Sequence, residues 1–304
     1  MSVFPSRFAV VGHPVQHSAS PAMHAAALRA MGLPHLYEAI ECPSQSAFER
    51  VLSLMKRGYF QGVNVTAPLK GLAVELADEV SPEARQVGAA NTLRVVAGRV
   101  HASNTDVPAM VEQIQRSQAR LGVALVLGSG GAARAAVEAC LQLGVRLIGV
   151  TSRSWVDSEV LYESSVAQAF RDRRVLTFPW PQGEVPVERT KGSIALQLQW
   201  SELAAMADLL IQATSAGLSP GNPGDAVAGA IPWPRVPAHA VAYELIYGSS
   251  PTPFAAAALQ RNLRVLDGVE LLARQGARSL SLWLQRPAPF EVMLEAARQR
   301  VHGG

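Results

Sequence analysis

The sequence is short of charge, aromatics and cysteine. Charged residues make up 17% of its 304 residues and aromatics 6%, while 49% are hydrophobic. So few charges on so apolar a chain exclude an intrinsically disordered protein and leave enough side chains for sizeable cores. The net charge is +3, with no dense run of Lys or Arg. This argues against a nucleic-acid surface and suits small anionic ligands. The two cysteines do not make a disulfide framework. Cys42 closes an apolar run and Cys140 falls inside a helix pattern, so both are expected as buried free thiols in a reducing compartment. The start, "MSVFPSRFAVVG", lacks the apolar core of a signal peptide. The longest uncharged stretches, such as 209–224, contain Gly, Pro and Ser and do not suit a membrane span. A cytoplasmic protein with no membrane or nucleic-acid partner is the expectation.

What is present is an alternation of strand and helix patterns. Residues 7–12, 35–42 and 62–66 read as strands, and 20–32 and 44–58 as helices. Ser20 suits an N-cap, with Pro21 at the first helical position. "TLRVVAGRVHA" (92–102) reads as a hairpin turning at Ala97-Gly98. Beyond a helix at 107–120, short apolar runs at 146–151, 174–178, 208–213, 239–247 and 262–266 alternate with helical segments. That texture predicts a parallel sheet covered on both faces, with a domain boundary near residue 106. Residues 179–200 and the proline-rich 219–237 read as long loops, and 268–304 is helical. At length 304, two domains are expected.

Three features point to chemistry. "GSGGAA" follows an apolar strand and opens a helix. Gly128 suits the tight turn, Gly130 the close approach of a phosphate, and Ala133 the packing of helix on strand, as in a dinucleotide-binding unit. The next strand ends in "TSRS" (151–154) with no acid to hold a ribose 2′-hydroxyl. Arg153 stands there instead and suits the 2′-phosphate of NADP. The segment "GHPVQHSASPAMH" holds His13, His17 and His24, but Pro14 and Pro21 interrupt any helix and no acid is adjacent, so no metal is expected. Ser18 and Ser20 in that segment are either caps or hydroxyl donors to a ligand carboxylate. Lys70, two residues past Pro68 in "QGVNVTAPLK", is either a solvated side chain or a catalytic one.

Taken together, the segments "GHPVQHSASP", "GVNVTAPLK", "AANTL", "NTD", "GSGGAA", "TSAG", "YGSSPTP" and "QGA" resemble, in order, the shikimate dehydrogenase family. The resemblance runs through almost the whole chain. It implies two α/β domains with a cleft between them. One is a substrate-binding domain, 1–106, completed by helices 268–304; the other is a Rossmann-type, doubly wound NADP-binding domain, 107–267. It implies the reversible reduction of 3-dehydroshikimate to shikimate with NADPH and no metal, in the chorismate pathway of aromatic amino acid biosynthesis, by a monomer or homodimer. Lys70 is then the catalytic lysine, projecting from the loop after a strand, and Asp106 holds it. Ser18, Ser20 and Thr66 hold the substrate carboxylate, and Asn91, Gln275 and Tyr247 line the rest of the substrate. The cofactor falls to Gly128, Ser129, Gly130, Gly131, Ala132, Ser152, Arg153, Thr214, Gly268 and Leu271. This sequence departs from the family pattern at Ala90, at "VPAM" after "NTD", at Asp157 where a second basic residue is common, at Gly248-Ser249 and at Leu271. Two alternatives stay open: a quinate/shikimate dehydrogenase using NAD or both cofactors, and a catalytically silent, metabolite-binding regulator.

Overall fold

A computed structural model describes residues 5–155, 174–181, 199–218 and 222–303. Asp157 and most of 179–200 lie outside the described residues. The chain divides into two compact units, Met1–Ala109 with Val269–Gly304, and Met110–Gly268.

The first unit is built on a six-stranded mixed sheet. Its strands are β1 (Arg7–Gly12), β2 (Leu36–Glu41), β3 (Gly62–Val65), β4 (Glu79–Val80), β5 (Thr92–Val96) and β6 (Arg99–Ser103), in the order β2-β1-β3-β5-β6-β4. β1 runs parallel to β2 and β3, β5 runs antiparallel to β3, and β6 antiparallel to β5. The β5–β6 hairpin turns at Ala97 (φ 49°) and Gly98 (φ 75°). Two consecutive left-handed residues match the right-handed twist of the paired strands.

This topology decides where the site is. β1, β3 and β6 end, and β5 begins, at one edge of the sheet. The loops carrying Ser18, Thr66, Asn91 and Asp106 therefore all leave from that edge. Below it, one face is packed by α2 (Gln45–Lys56), whose Phe48, Val51, Leu52 and Met55 meet Val63, Val65 and Leu93 in a dry core. Ser44 caps α2 by accepting from the Ala47 N–H at 3.3 Å. The unit also holds α1 (Ser20–Ala30), α10 (Gly268–Leu284) and α11 (Phe290–His302). Trp283 of α10 stacks on Phe8 at 5.0 Å and donates to the Leu93 carbonyl at 2.9 Å. A Cβ at Gly62 would lie 2.4 Å from that indole, so only glycine lets the helix seat on the sheet.

Two local expectations are corrected here. Lys70 is not in a loop after β3 but at the first position of α3 (Lys70–Leu76), after a turn closed by Leu69 N–H to Thr66 O at 3.0 Å. That helix has seven residues, too few for a clear periodic signal. Ser20 is not an N-cap: Ala19 holds that position and Ser20 is already helical, while the Ser18 hydroxyl accepts from the Ser20 N–H at 3.2 Å.

The second unit is a fully parallel sheet in the order β12-β11-β10-β7-β8-β9. Its strands are β7 (Val123–Leu127), β8 (Leu147–Thr151), β9 (Val175–Phe178), β10 (Leu209–Gln212), β11 (Val241–Glu244) and β12 (Arg264–Leu266). The chain winds outward from β7 in both directions, the Rossmann order with its switch point between β7 and β10. The described part of 219–237 is not one loop. It contains α8 (Asp225–Gly229) and a 3-10 turn, Trp233–Arg235. Trp200, which opens α7 (Trp200–Ala204), donates to the Ala230 carbonyl at 2.7 Å and so fixes that segment to the core. Between β11 and β12 runs α9 (Pro253–Gln260), capped by Thr252, whose hydroxyl accepts from the Ala255 N–H at 3.1 Å.

Candidate active site

In the first unit, four of the expected residues meet directly. Lys70 Nζ donates to Asp106 Oδ2 at 2.7 Å, and Asn91 Nδ2 donates to Asp106 Oδ1 at 2.8 Å. The Asn91 amide also reaches Gln275 Oε1 at 3.2 Å, across 184 residues of sequence. Its orientation is set by the backbone: the Thr105 N–H donates to Asn91 Oδ1 at 2.7 Å, which turns the nitrogen toward Asp106. Lys70 is anchored at its own backbone too, because the Ala90 N–H donates to the Lys70 carbonyl at 2.9 Å.

The Lys70 and Asp106 side chains are 17% and 7% exposed. A pair this dry is unlike a surface salt bridge, and losing one partner would strand a desolvated charge. Helix dipoles act on both. Asp106 sits in the first turn of α5 (Asp106–Ser117), where negative charge is favoured, and Lys70 sits at the start of α3, where a cation is not. The Asp106 carboxylate is the compensation. The start of α5 is capped by Asn104, whose Oδ1 accepts from the Asp106 and Val107 N–H groups at 2.9 and 3.1 Å.

Beneath the pair lies a hydrogen-bonded layer that sequence reasoning missed. Asn64 donates to Asn91 O, Thr92 Oγ1 and Ser279 Oγ, and accepts from the Tyr37 hydroxyl at 2.8 Å. Ser279 contacts Thr92 at 2.8 Å and Thr105 at 3.2 Å, and donates to the Gln275 carbonyl at 2.9 Å. The available signal was spacing, since Ser279 stands one helical turn after Gln275 on the same face. Thr66 stands beside the end of β1, close enough that a Cβ on Gly12 would clash with its methyl group. Of the three histidines, His13 pairs with Glu41 at 2.9 Å, an acid that linear sequence does not place nearby. His24 is fully buried and stacked on Tyr37 at 4.0 Å.

Of the other expected residues, Ser18, Ser20 and Leu271 lie in the first unit and the rest in the second. Gly128 has φ 127°, and a Cβ there would lie 2.9 Å from the Ala213 carbonyl. Only glycine is tolerated. A Cβ at Gly130 would meet nothing within 4 Å, so space is open over the turn. Ser129 Oγ and Ser152 Oγ are 2.9 Å apart, joining the glycine turn to the end of β8. Arg153 Nη1 donates to Asn222 Oδ1 at 2.9 Å. Thr214 Oγ1 accepts from the Ala216 N–H at 3.1 Å. The Glu244 carboxylate accepts from Thr252 Oγ1 at 2.5 Å and the Ile246 N–H at 3.3 Å, bracketing the loop that carries Tyr247. Burial pushes the Glu244 carboxyl up to about 7. A strained glycine turn, the open space at Gly130 and a cation at the end of β8 fit a phosphorylated dinucleotide.

A Rossmann-ordered unit joined to an α/β unit with a buried lysine–aspartate pair defines a dinucleotide-linked oxidoreductase. Residues 10–93 match the shikimate dehydrogenase substrate binding domain, and residues 268–298 match the shikimate 5′-dehydrogenase C-terminal domain. Shikimate dehydrogenase (NADP(+)) from one strain of Thermus thermophilus is 37% identical over 96% of this chain and 98% of its own. The enzyme of that name from a Synechococcus strain is 36% identical over 96% and 93%. The crystal structure of shikimate 5-dehydrogenase from a second Thermus thermophilus strain, in complex with NADP(H) and shikimate, superimposes with a TM-score of 0.77. It is 35% identical and covers 97% of this chain and 99% of that one. The chain belongs to the shikimate dehydrogenase family.

Proposed function

We propose that the chain reduces 3-dehydroshikimate to shikimate, reversibly and with NADPH, through Lys70. The observation that carries this reading is the Lys70–Asp106–Asn91–Gln275 cluster, joined to 37% identity with a shikimate dehydrogenase (NADP(+)) along nearly the full chain. Reducing a ketone adds a hydride to carbon and a proton to oxygen. NADPH supplies the hydride when bound, and the residues that would hold it are those of the Gly128–Gly131 turn with Arg153. Everything else falls to the first unit. The Lys70 ammonium donates to the carbonyl oxygen, stabilises the alkoxide as it forms, passes it a proton and regains one from water. Asp106 holds Lys70 in place and accepts from a ring hydroxyl. Asn91 and Gln275 fix neighbouring hydroxyls. Ser18, Ser20 and Thr66, at the same sheet edge, take the substrate carboxylate. Domain limits of 1–106 with 268–304, and 107–267, divide substrate from cofactor duties. Two free, buried cysteines support a reducing cytoplasmic setting.

The test is an assay with shikimate and with quinate, each with NADP and with NAD. Fastest turnover with shikimate and NADP is expected. Turnover with none of the four combinations overturns the enzymatic reading, and a preference for quinate overturns the substrate.

A further inference from the structure

Ser18 lies in an irregular segment, residues 13–19, between β1 and α1. Neither a strand ladder nor a helix fixes such a segment, so a hydroxyl on it needs another anchor to hold one position. Glu41 supplies that anchor. It is the last residue of β2 and stands beside Gly12, the last residue of β1. Its side chain therefore meets the segment as it leaves the sheet. Glu41 Oε1 accepts from the Val15 N–H at 2.9 Å, and the Gln16 N–H adds a further bond to the carboxylate. The Val15 carbonyl in turn accepts from the Ser18 N–H at 3.0 Å. Val15, itself buried, thus joins Glu41 to Ser18.

The other carboxylate oxygen reaches a second segment. Glu41 Oε2 lies 2.9 Å from His13 Nδ1. An ionised carboxylate only accepts, so the ring donates. The His13 backbone N–H donates to the carbonyl of Ala67, the neighbour of Thr66, at 3.1 Å. The bonds from Val15 and His13 hold the Glu41 carboxyl below the usual carboxylate range. The His13 and Glu41 side chains are 54% and 29% exposed, and an ion pair this wet adds little to stability. A negative charge at a sheet edge that receives an anion works against binding. What Glu41 contributes there is placement.

We infer that Glu41 is a positioning residue for substrate binding, setting Ser18 through Val15 and steadying Thr66 through His13. The inference rests on the proposed role of Ser18 and Thr66 at the substrate carboxylate.

The experiment is a double-mutant cycle on the full-length protein: wild type, Glu41→Ala, Ser18→Ala and the double variant, with Glu41→Gln as the conservative change. Steady-state kinetics give kcat and the KM values for shikimate and NADP, and thermal unfolding gives the midpoint. Glu41→Ala should raise KM for shikimate about tenfold, the lower end for a lost hydrogen bond to a charged group. Both kcat and KM for NADP should stay near their wild-type values, as when substrate binding alone is lost. Glu41→Gln keeps one acceptor for the Val15 N–H and should recover part of the loss. In the Ser18→Ala background the rise caused by Glu41→Ala should shrink, because the hydroxyl it places is gone. If Glu41→Ala does not fold, the cycle with Glu41→Gln decides, with a smaller rise that again shrinks. A KM for shikimate that is unchanged or lowered overturns the inference. So do losses that simply add across the two sites, or a lower midpoint with both KM values raised together. Ser18→Ala with unaltered KM for shikimate overturns the carboxylate site itself, a result distinct from failure at Glu41.

Discussion

Asn104 Oδ1 accepts the backbone N–H of Asp106 at 2.9 Å. That bond relieves Asp106 of capping its own helix. Its carboxylate is then free to hold Lys70 with one oxygen and Asn91 with the other.

Lys70→Ala should lower kcat by roughly 10²- to 10⁴-fold, the usual contribution of a positioned acid or base. Binding of shikimate should fall much less, because the other contacts to the ring survive. Steady-state kinetics and equilibrium titration separate the two. A loss below threefold in kcat would mean that Lys70 serves only to neutralise Asp106.

Ser18→Ala and Ser20→Ala should each raise KM for shikimate, by about 1.5–3 kcal/mol of lost binding to a carboxylate. Ser18 also accepts from the Ser20 N–H, so its replacement should cost about 0.5–2 kcal/mol of stability as well, in line with lost caps. Ser20 accepts no capping bond, so its replacement should leave the thermal midpoint nearly unchanged. A drop in midpoint with KM constant in both variants would make the two serines structural.

Wild-type protein should prefer NADP to NAD, and Arg153→Ala should remove most of that preference. A charge-assisted contact to a 2′-phosphate is worth about 1.5–3 kcal/mol, or roughly ten- to a hundredfold in specificity constant. Arg153 is already tethered by Asn222, which limits the rotamers it must give up on binding. An unchanged NADP/NAD ratio in the variant would remove Arg153 from cofactor choice.

His24 should make the protein acid-sensitive. Burial pushes its pKa from 6.5 down to about 3, and neither ring nitrogen has a hydrogen-bond partner. The folded state therefore binds fewer protons than the unfolded chain between those values. The contribution is fully present above pH 6.5 and is lost as pH falls toward 3, with a limiting slope of about 1.4 kcal/mol per pH unit. His24→Phe keeps an aromatic ring against Tyr37 and removes the titration. Urea midpoints from about pH 8 to about pH 4 should fall less steeply for the variant. Parallel curves would show that other groups govern the acid response.

Much of this was legible in sequence because it depends on local chemistry. Strand β7, the glycine turn and α6 follow from an apolar run, residues fit for a tight turn and a helical period, all contiguous within 123–142. The missing acid and the arginine after β8 speak for NADP within the single segment "TSRS". The hairpin at Ala97-Gly98 is fixed by its turn residues. Periodicity alone could say less about the short α3 and α4 (Pro82–Val87), or about the two short helical turns within 222–237, because each has too few residues for a period to emerge.

What tertiary structure decided is which polar groups meet. Asn91 and Gln275 stand 184 residues apart and share a hydrogen bond because α10 returns to the sheet that β5 belongs to. Asn64, Thr92, Thr105 and Ser279 are ordinary letters singly. They become one buried network because the strand order β1-β3-β5-β6 brings their loops and helix together. The division of labour between Asn104 and Asp106 is likewise invisible in "NTD", where either residue is a good cap. Sequence sets the residue types and the local turns. Only the packed sheet, by excluding water and leaving each buried donor to find an acceptor, assigns every side chain its partner.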